Sequence, residues 1–292
     1  GGHGSVDMYK SIVQSCDTYY YALANDLGVD AMHDFMQPFG FGQKTGIDLD
    51  HEREGVLPST EWKKKTYKSP AQKKWYAGET ISLGIGQGYN SFTPLQLSHA
   101  TAVLANNGVV MKPHLVKAIE DGVTRERKLT VPKESYRINL SPEHVEFIKQ
   151  AMVGVTKEGT SAAVFSRTEY ISAGKTGTAQ VVGMKQNEKY NAAAVAERRR
   201  DHSLYIAFAP ADKPRIALAV IVENGGFGAT AAAPIAKKAL DYYLLGKKPE
   251  DKDKTPVPKD DAGLTRPIAE LKAEAESEGG PKEGEETEGN ND

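Results

Sequence analysis

The run Lys175-Thr176-Gly177-Thr178 brings together groups that could bind an anionic ligand. It lies within residues 170–182, where apolar and β-branched residues alternate without a helical period and therefore predict a strand. A ligand could lie flat along such a strand at Gly177, which has no side chain, and contact the lysine ammonium and two hydroxyls. These groups suit a bound carboxylate. The alternative is an exposed edge strand whose lysine discourages aggregation.

Ser15 and Asp17 form a second polar group, at the predicted junction between two helices. The first helix begins near Val6, and Asp17 or Thr18 is expected to cap a second helix that continues to Met36. Side chains at such a junction can project into a cleft. Both residues could instead serve only as helix caps, and the pattern leaves the two interpretations open.

Further helices and strands must position these residues. Thr93-Pro94 and Ser141-Pro142 each combine a capping hydroxyl with proline at the first helical position, so they predict helix starts. Apolar residues 204–209 and 216–222 predict two strands, which would form an antiparallel meander with the lysine-bearing strand. A helix over 231–245 is expected to pack on that sheet. The predicted fold class is therefore α+β, with an antiparallel sheet flanked by helices.

Residues 39–92 predict an elaborated surface, because they are rich in glycine and lack periodicity. The basic run Lys63-Lys64-Lys65 is expected to be a solvated face, with anionic lipid as an alternative contact. The glycine-rich segment 81–89 lacks the Lys-Ser/Thr of a phosphate loop. It also lacks the strand, helix and distant acid of a dinucleotide site, so it predicts no nucleotide binding.

Composition limits the remaining possibilities. A net charge of -2 and a pI near 6.4 give no electrostatic footprint for nucleic acid, which we exclude as a partner. The apolar runs are much shorter than the about 20 residues that span a bilayer. A single cysteine, Cys16, excludes an internal disulfide. We expect one domain over residues 1–246 and a disordered acidic tail over 247–292, which has no aromatic residue.

Together these motifs resemble a known family. A Ser-x-Asp at a helix junction, a later Lys-Thr-Gly-Thr strand and a C-terminal helix over an antiparallel sheet are the pattern of penicillin-binding proteins and serine β-lactamases. The similarity is greatest to the cell-elongation D,D-transpeptidases of Gram-negative bacteria and covers residues 1–246. It also rests on the segments Gly84-Ile85-Gly86-Gln87-Gly88, Thr93-Pro94-Leu95-Gln96, Arg200-Asp201-His202 and Glu223-Asn224-Gly225-Gly226. The resemblance implies the transpeptidase fold of this family.

The family's nucleophile comes from a Ser-x-x-Lys motif on a buried helix, and no such motif precedes Ser15. One formal match exists, from Ser172 to Lys175. We reject it because residues three apart on a strand face opposite sides, whereas the lysine must reach the serine to take its proton. The sequence begins at Gly1 without an initiator methionine. We therefore expect the nucleophile, the N-terminal part of the domain and any membrane anchor to lie upstream, and this chain alone to be catalytically incomplete.

The resemblance also assigns roles to the matching residues. Ser15 would relay a proton to the leaving nitrogen, and Asp17 would orient Ser15 and Lys175 through hydrogen bonds. Much of the family has asparagine at the position of Asp17, which leaves open whether this aspartate contacts the substrate.

The Lys-Thr-Gly-Thr strand is implied to be the carboxylate-binding wall of the cleft. Lys175, Thr176 and Thr178 would hold the carboxylate of a stem peptide or of a β-lactam. Gly177 would keep the cleft open, and the backbone N–H of Thr178 would be one donor of an oxyanion hole.

His3 and Cys16 are a candidate metal half-site. Taken singly, a surface histidine and a buried thiol are the simpler interpretation. The resemblance implies a structural zinc bound by two aspartates, a histidine and a cysteine, of which His3 and Cys16 match the last two. The aspartates would again lie upstream, so we expect this half-site to bind zinc poorly by itself.

The implied function is that of a serine-type peptidoglycan D,D-transpeptidase, which cross-links stem peptides during cell elongation and is acylated by β-lactams. The implied location is the periplasmic face of a bacterial inner membrane, and the implied partners are an elongation glycosyltransferase and shape-determining proteins. Two alternatives remain: a β-lactamase-like hydrolase, and a non-catalytic peptidoglycan-binding or scaffold protein. Residues 39–92 and the insertion after Gly183 favour the transpeptidase over the β-lactamase.

Overall fold

The computed structural model describes residues 2–181 and 195–248. By its internal contacts the chain forms a compact unit through Ala239 and a second unit from Leu240. Of the second unit, only residues 240–248 are described, and they include the end of the last helix. The predicted acidic tail lies outside the described residues, apart from its first two positions. No described helix has the length and hydropathy needed to cross a bilayer.

The regular elements between Met8 and Ala105 are helices. Their bounds are α1 Met8–Val13, α2 Asp17–Leu27, α3 Val29–Met36, a 3-10 turn Gln37–Phe39, α4 Thr60–Thr66, α5 Pro70–Lys73, α6 Ala77–Leu83 and α7 Pro94–Ala105. In the second half they are α8 Pro142–Lys157, α9 Ala162–Phe165, a 3-10 turn Glu197–Arg199 and α10 Ala232–Leu245.

The main sheet is the antiparallel meander that the sequence predicts. It consists of β5 Ala173–Ala179, β6 His202–Ala209 and β7 Ile216–Val222, in that spatial order. Two small two-stranded ladders, β1 Val109–Met111 with β4 Glu134–Arg137 and β2 Ala118–Glu120 with β3 Arg127–Leu129, lie outside this sheet. The observed helices and antiparallel sheets confirm the α+β class.

Two helices with proline starts cover the main sheet. Helix α7 contacts β6 and β7, whereas α8 contacts β5. Both begin as predicted, because Thr93 Oγ1 accepts from the N–H of Gln96 and Ser141 Oγ accepts from that of His144. A buried core joins the two helices, α1 and the sheet; it contains Ile12, Ala105, Ala151, Met152, Val155, Ala173 and Phe208. Burial of this core fixes α1, and so the residues that follow it, against α8, which in turn packs on β5.

The structure corrects the predicted second helix. It is two helices, α2 and α3, which are separated at Gly28, whose φ of 78° is readily adopted only by glycine. The capping prediction is also wrong. Cys16 is the N-cap residue of α2, without a side-chain cap hydrogen bond, and Asp17 is the first helical residue.

Lys63 contradicts the prediction of a solvated basic face. Its side chain is buried, with 2% of the residue exposed, and its Nζ donates to both carboxylate oxygens of Glu79, one of them at 2.6 Å. The ammonium also lies 5.3–5.5 Å from the ring centres of Trp75, Tyr76 and Tyr89. A charge can be buried when it is paired and surrounded by aromatic faces, so Lys63 joins α4 to α6.

Candidate active site

Ser15 occupies a strained turn between α1 and α2. Its φ is 53°, in the left-handed region that residues other than glycine rarely adopt. The turn is held by backbone hydrogen bonds from the Ser15 N–H to the Ile12 carbonyl at 3.2 Å and from the Cys16 N–H to the Ser11 carbonyl at 2.9 Å. Such strain costs about 1–3 kcal/mol and is concentrated at functional sites. The serine lies between the helices, as the sequence predicts.

Lys175 reaches this serine from the sheet. Its Nζ donates to Ser15 Oγ at 2.6 Å and to the carbonyl of Thr176 at 3.0 Å. Burial lowers the pKa of Lys175 to about 8, and the nearby charge of Asp17 opposes that change. An ammonium with this pKa can both donate a hydrogen bond and give up a proton near neutral pH.

Asp17 does not make the hydrogen bonds expected of it. Among the described residues no side-chain hydrogen bond joins its carboxylate to Ser15 or Lys175, and the residue is exposed at the start of α2. Its influence on Lys175 is through charge alone. The predicted role of Asp17 in the reaction stays a prediction.

The remaining strand residues lie on β5, which is an edge strand of the described sheet. Gly177 pairs with Leu204, and a side chain at this glycine would begin 3.3 Å from Leu204 Cβ. Thr176 Oγ1 lies 2.8 Å from Thr160 Oγ1, in the turn after α8. The structure therefore brings Ser15 and the Lys-Thr-Gly-Thr strand together, while the substrate roles of Thr176, Gly177 and Thr178 stay predictions.

Two further residues contact this strand that the sequence analysis did not assign to the site. Thr160 contacts Thr176 as described, and Gln87 Nε2 approaches the carbonyl of Thr178 at 3.4 Å. Each is next to glycine, in Gly159-Thr160 and in Gly86-Gln87-Gly88. The sequence signal that could have identified both residues is a polar side chain beside glycine in an irregular segment. Glycine permits another element to approach the backbone closely there.

The loop that carries Gln87 also packs against α2, the helix that follows Ser15. A side chain at Gly84 would begin 2.5 Å from the carbonyl oxygen of Tyr20 and 2.6 Å from Ala24 Cβ, both on α2. Helix α6, which leads into this loop, is fixed by the pairing of Lys63 with Glu79. The loop thus contacts both α2 and β5.

The formal match from Ser172 to Lys175 does not form a nucleophile pair. Ser172 is buried, with 2% of its surface exposed, and directly precedes β5. The ammonium of Lys175 is directed to Ser15 instead. Lys175 consequently belongs with Ser15, which agrees with our rejection of the match.

His3 and Cys16 do not make a metal site by themselves. His3 is exposed and Cys16 is 7% exposed. No cluster of three or more histidine, cysteine, aspartate or glutamate side chains suitable for a metal occurs in residues 2–181 and 195–248. Structural zinc is almost always held by four ligands, so the two donors present do not fit a complete centre.

Comparison with known proteins concerns the family of the chain. Peptidoglycan D,D-transpeptidase MrdA of Acinetobacter baumannii is 49% identical over 248 residues, which are 85% of this chain and 36% of the relative. The protein of the same name from Escherichia coli K12 is 43% identical over 253 residues, or 86% of this chain and 39% of the relative. The chain therefore spans less than half the length of these curated relatives.

Solved structures give the same result. Pseudomonas aeruginosa PBP2, crystallised with WCK 5153, is 42% identical with a TM-score of 0.70, over 86% of this chain and 51% of that one. Helicobacter pylori PBP2, in a complex with MreC, is 27% identical with a TM-score of 0.66, over 84% and 41%. Residues 1–241 match the family described as penicillin binding protein transpeptidase domain, so this chain belongs to the penicillin-binding protein transpeptidase family.

Proposed function

We propose that these residues form two walls of the acyl-transfer cleft of a peptidoglycan D,D-transpeptidase. The observation that carries the proposal is the 2.6 Å hydrogen bond from Lys175 to Ser15, which joins the two motifs across 160 positions of sequence. A half-buried ammonium of lowered pKa beside a strained serine is typical of a site for proton transfer. The names of the relatives support this choice of reaction.

The lysine and the serine move a proton. Because the Lys175 ammonium donates to Ser15 Oγ, the hydroxyl hydrogen of Ser15 is free to point at a leaving nitrogen. As that nitrogen departs it takes the hydroxyl proton, and Lys175 replaces it. The nucleophile is the serine expected upstream, which gives its proton to the lysine of its own Ser-x-x-Lys motif and forms an acyl ester as the bond to the terminal D-Ala nitrogen breaks. An amine of a neighbouring strand later takes the acyl group from that ester, and the serine hydroxyl is regenerated. These walls supply the relay and the binding groups.

The edge strand β5 supplies the groups that recognise the ligand. The Lys175 ammonium provides positive charge, and the hydroxyls of Thr176 and Thr178 provide hydrogen-bond donors, for the terminal carboxylate of a stem peptide. A β-lactam presents the same carboxylate beside a reactive amide, so it would occupy the same wall. We infer that the Thr178 N–H contributes to the oxyanion hole.

Labelling with a fluorescent penicillin tests this proposal. The protein encoded by the complete gene is expected to form a covalent adduct that turns over slowly. Ser15→Ala should slow the labelling by about a hundredfold or more, because loss of a proton relay typically costs that much. The exposed Ser166, replaced by alanine, is the control. Failure of the wild-type protein to label would refute the proposed reaction.

The same experiment decides between the alternatives. A β-lactamase-like hydrolase would release the adduct rapidly and turn over penicillin. A non-catalytic peptidoglycan-binding protein would form no adduct but would still bind cell-wall fragments.

Location and partners follow from the proposed reaction. We propose that this domain works in the periplasm on peptidoglycan, beside a glycosyltransferase and shape-determining proteins. Support comes from the H. pylori PBP2 complex with MreC and from a similar structure that is described as a peptidoglycan synthase complex. Any zinc would use His3 and Cys16 only together with further ligands, and no step proposed here requires it.

A further inference from the structure

The turn after α8 touches both walls of the cleft. The N–H of Thr160 donates to the carbonyl of Val13 at 3.3 Å, two residues before Ser15. The hydroxyl of the same threonine lies 2.8 Å from that of Thr176 on β5. Thr160 is thus a single residue bonded to the segment that carries Ser15 and to the strand that carries Lys175.

The packing around this turn leaves little freedom for Thr160. A side chain at Gly159 would begin 2.3 Å from the carbonyl oxygen of Val13, so only glycine allows this approach. Ser161, which is 1% exposed, bonds through Oγ to the Val155 carbonyl at 3.1 Å and to the Tyr205 hydroxyl at 3.0 Å. The residues on both sides of Thr160 are therefore fixed, and its side chain is directed at Thr176.

The contact between the hydroxyls of Thr160 and Thr176 limits which of them can donate a hydrogen bond to a ligand. A threonine hydroxyl has one hydrogen to donate and two lone pairs to accept with. When Thr160 donates to Thr176 Oγ1, the hydrogen of Thr176 is free for an anion, and the accepted bond polarises it. When Thr160 cannot donate, the Thr176 hydroxyl loses the contact that orients it.

We propose that Thr160 is a positioning residue of the carboxylate wall. Its hydroxyl orients the Thr176 hydroxyl toward the ligand carboxylate, while its backbone N–H, which side-chain substitutions keep, holds the turn to Val13. This inference rests on the proposed function and adds a residue to it. It requires that the effect of replacing Thr160 on the acylation rate depend on whether the ligand carries a free, charged carboxylate.

Acylation rates of matched ligands test the inference. The ligands are benzylpenicillin and its methyl ester, in which the carboxylate is masked, and the protein is the product of the complete gene. In Thr160→Val the rate with the acid is expected to fall about tenfold, as for loss of a hydrogen bond that serves a charged group. The rate with the ester should stay near that of the wild type. Thr160→Ser, which keeps the hydroxyl, should restore the rate with the acid.

Thr168→Val is the matched control. This threonine is also half-buried, and its Oγ1 lies 2.9 Å from the carbonyl of Phe165 and 2.7 Å from that of Tyr170, to either of which its one hydrogen can be donated. Thr168→Val should leave the ratio of the acylation rates with acid and ester unchanged. Equal slowing of acid and ester in Thr160→Val, or no slowing of either, would overturn the inference while wild-type acylation left the proposed function standing. Absence of any wild-type adduct would refute both this inference and the proposed function.

Discussion

At the scale of single residues, the central contact is the one between Lys175 and Ser15. The Lys175 Nζ and the Ser15 Oγ lie 2.6 Å apart, so each side chain supplies a hydrogen-bond partner to the other. The half-buried Lys175 needs hydrogen-bond acceptors for its ammonium, and Ser15 Oγ is one of them. The φ of 53° at Ser15 is the kind of backbone strain that is concentrated at functional sites.

The rate of acylation should fall as pH rises through about 8. Burial lowers the pKa of Lys175 to about 8, so the ammonium that donates to Ser15 is lost above that pH. Between pH 7 and pH 9 the protonated fraction, and with it the penicillin-labelling rate, should drop roughly tenfold. Lys175→Arg keeps its charge throughout this range, so any residual rate should show no fall. A wild-type rate that stayed flat to pH 9 would exclude this role for the ammonium.

The same lysine should make folding stability depend on pH. Because the pKa of Lys175 is lowered from 10.5 to about 8, the unfolded chain binds the extra proton between these values. The free energy of unfolding should therefore rise with pH across this window, by at most about 3 kcal/mol. Lys175→Met should lack this rise. Urea denaturation at pH 7 and at pH 10 measures the difference, and equal pH dependence in both proteins would contradict it.

Residue-level prediction from sequence was partial for physical reasons. Local motifs identified Ser15, Asp17 and Lys175, because hydroxyl, carboxylate and ammonium groups in these patterns are unusual. They did not identify Thr160, whose importance comes from a contact with Thr176 in a different element. The expected hydrogen bonds of Asp17 did not form, because that residue points to solvent from the first turn of α2.

At the scale of elements, the segment from α4 through α6 to Gln87 supports the cleft from one side. Its anchor is the buried pairing of Lys63 with Glu79, which also accepts a hydrogen bond from the Tyr89 hydroxyl at 2.8 Å. Its contact with the Ser15 side is the close approach of Gly84 to α2. Each of these features gives a prediction.

Glu79→Ala should be strongly destabilising. Removing one partner of a buried ion pair leaves the Lys63 charge uncompensated, which typically costs about 3–5 kcal/mol. Glu61 is the control, since it pairs with Lys65 on the surface of the same helix as Lys63 and both side chains are more than 70% exposed. Glu61→Ala should leave the stability nearly unchanged, because exposed ion pairs contribute little. Chemical denaturation that gave similar losses for the two variants would contradict the buried role of Lys63.

Gly84→Ala should destabilise the protein and slow its acylation. The new methyl would meet Tyr20 and Ala24 at 2.5–2.6 Å, and such overpacking costs about 1–3 kcal/mol. Gly78, on α6, has no atom within 4 Å of a potential side chain. Gly78→Ala should therefore be neutral or stabilising, because alanine favours the helix. A fall in melting temperature of equal size in both variants would show that the approach to α2 is not tight.

Element prediction succeeded where the signal was local. The helices that start at Pro94 and Pro142 were predicted because a capping hydroxyl and a proline stand side by side in the sequence. The environment of Lys63 was predicted wrongly because its acceptor, Glu79, is 16 residues away and on another helix. The break at Gly28 was missed because the apolar pattern continues across it and only the backbone conformation reveals it.

At the scale of the whole molecule, the helices that carry Ser15 meet the main sheet at Lys175. The α+β class and the order β5–β6–β7 were predictable, because β6 and β7 are apolar strands joined by a short hairpin and sequential strands usually lie side by side. Family membership followed from the motifs and is shown by the match over residues 1–241. The approach of Ser15 to Lys175 could only be inferred through that resemblance, because no local rule fixes a contact across 160 residues.

A crystal structure of the complete protein acylated by a penicillin would test these assignments most directly. We expect the ligand carboxylate to lie within hydrogen-bonding distance of the hydroxyls of Thr176 and Thr178, with Lys175 nearby. We also expect Ser15 Oγ to face the nitrogen released from the β-lactam ring. An adduct whose carboxylate lay away from β5, or whose nitrogen lay out of reach of Ser15, would contradict the assignment of these residues as the walls of the cleft.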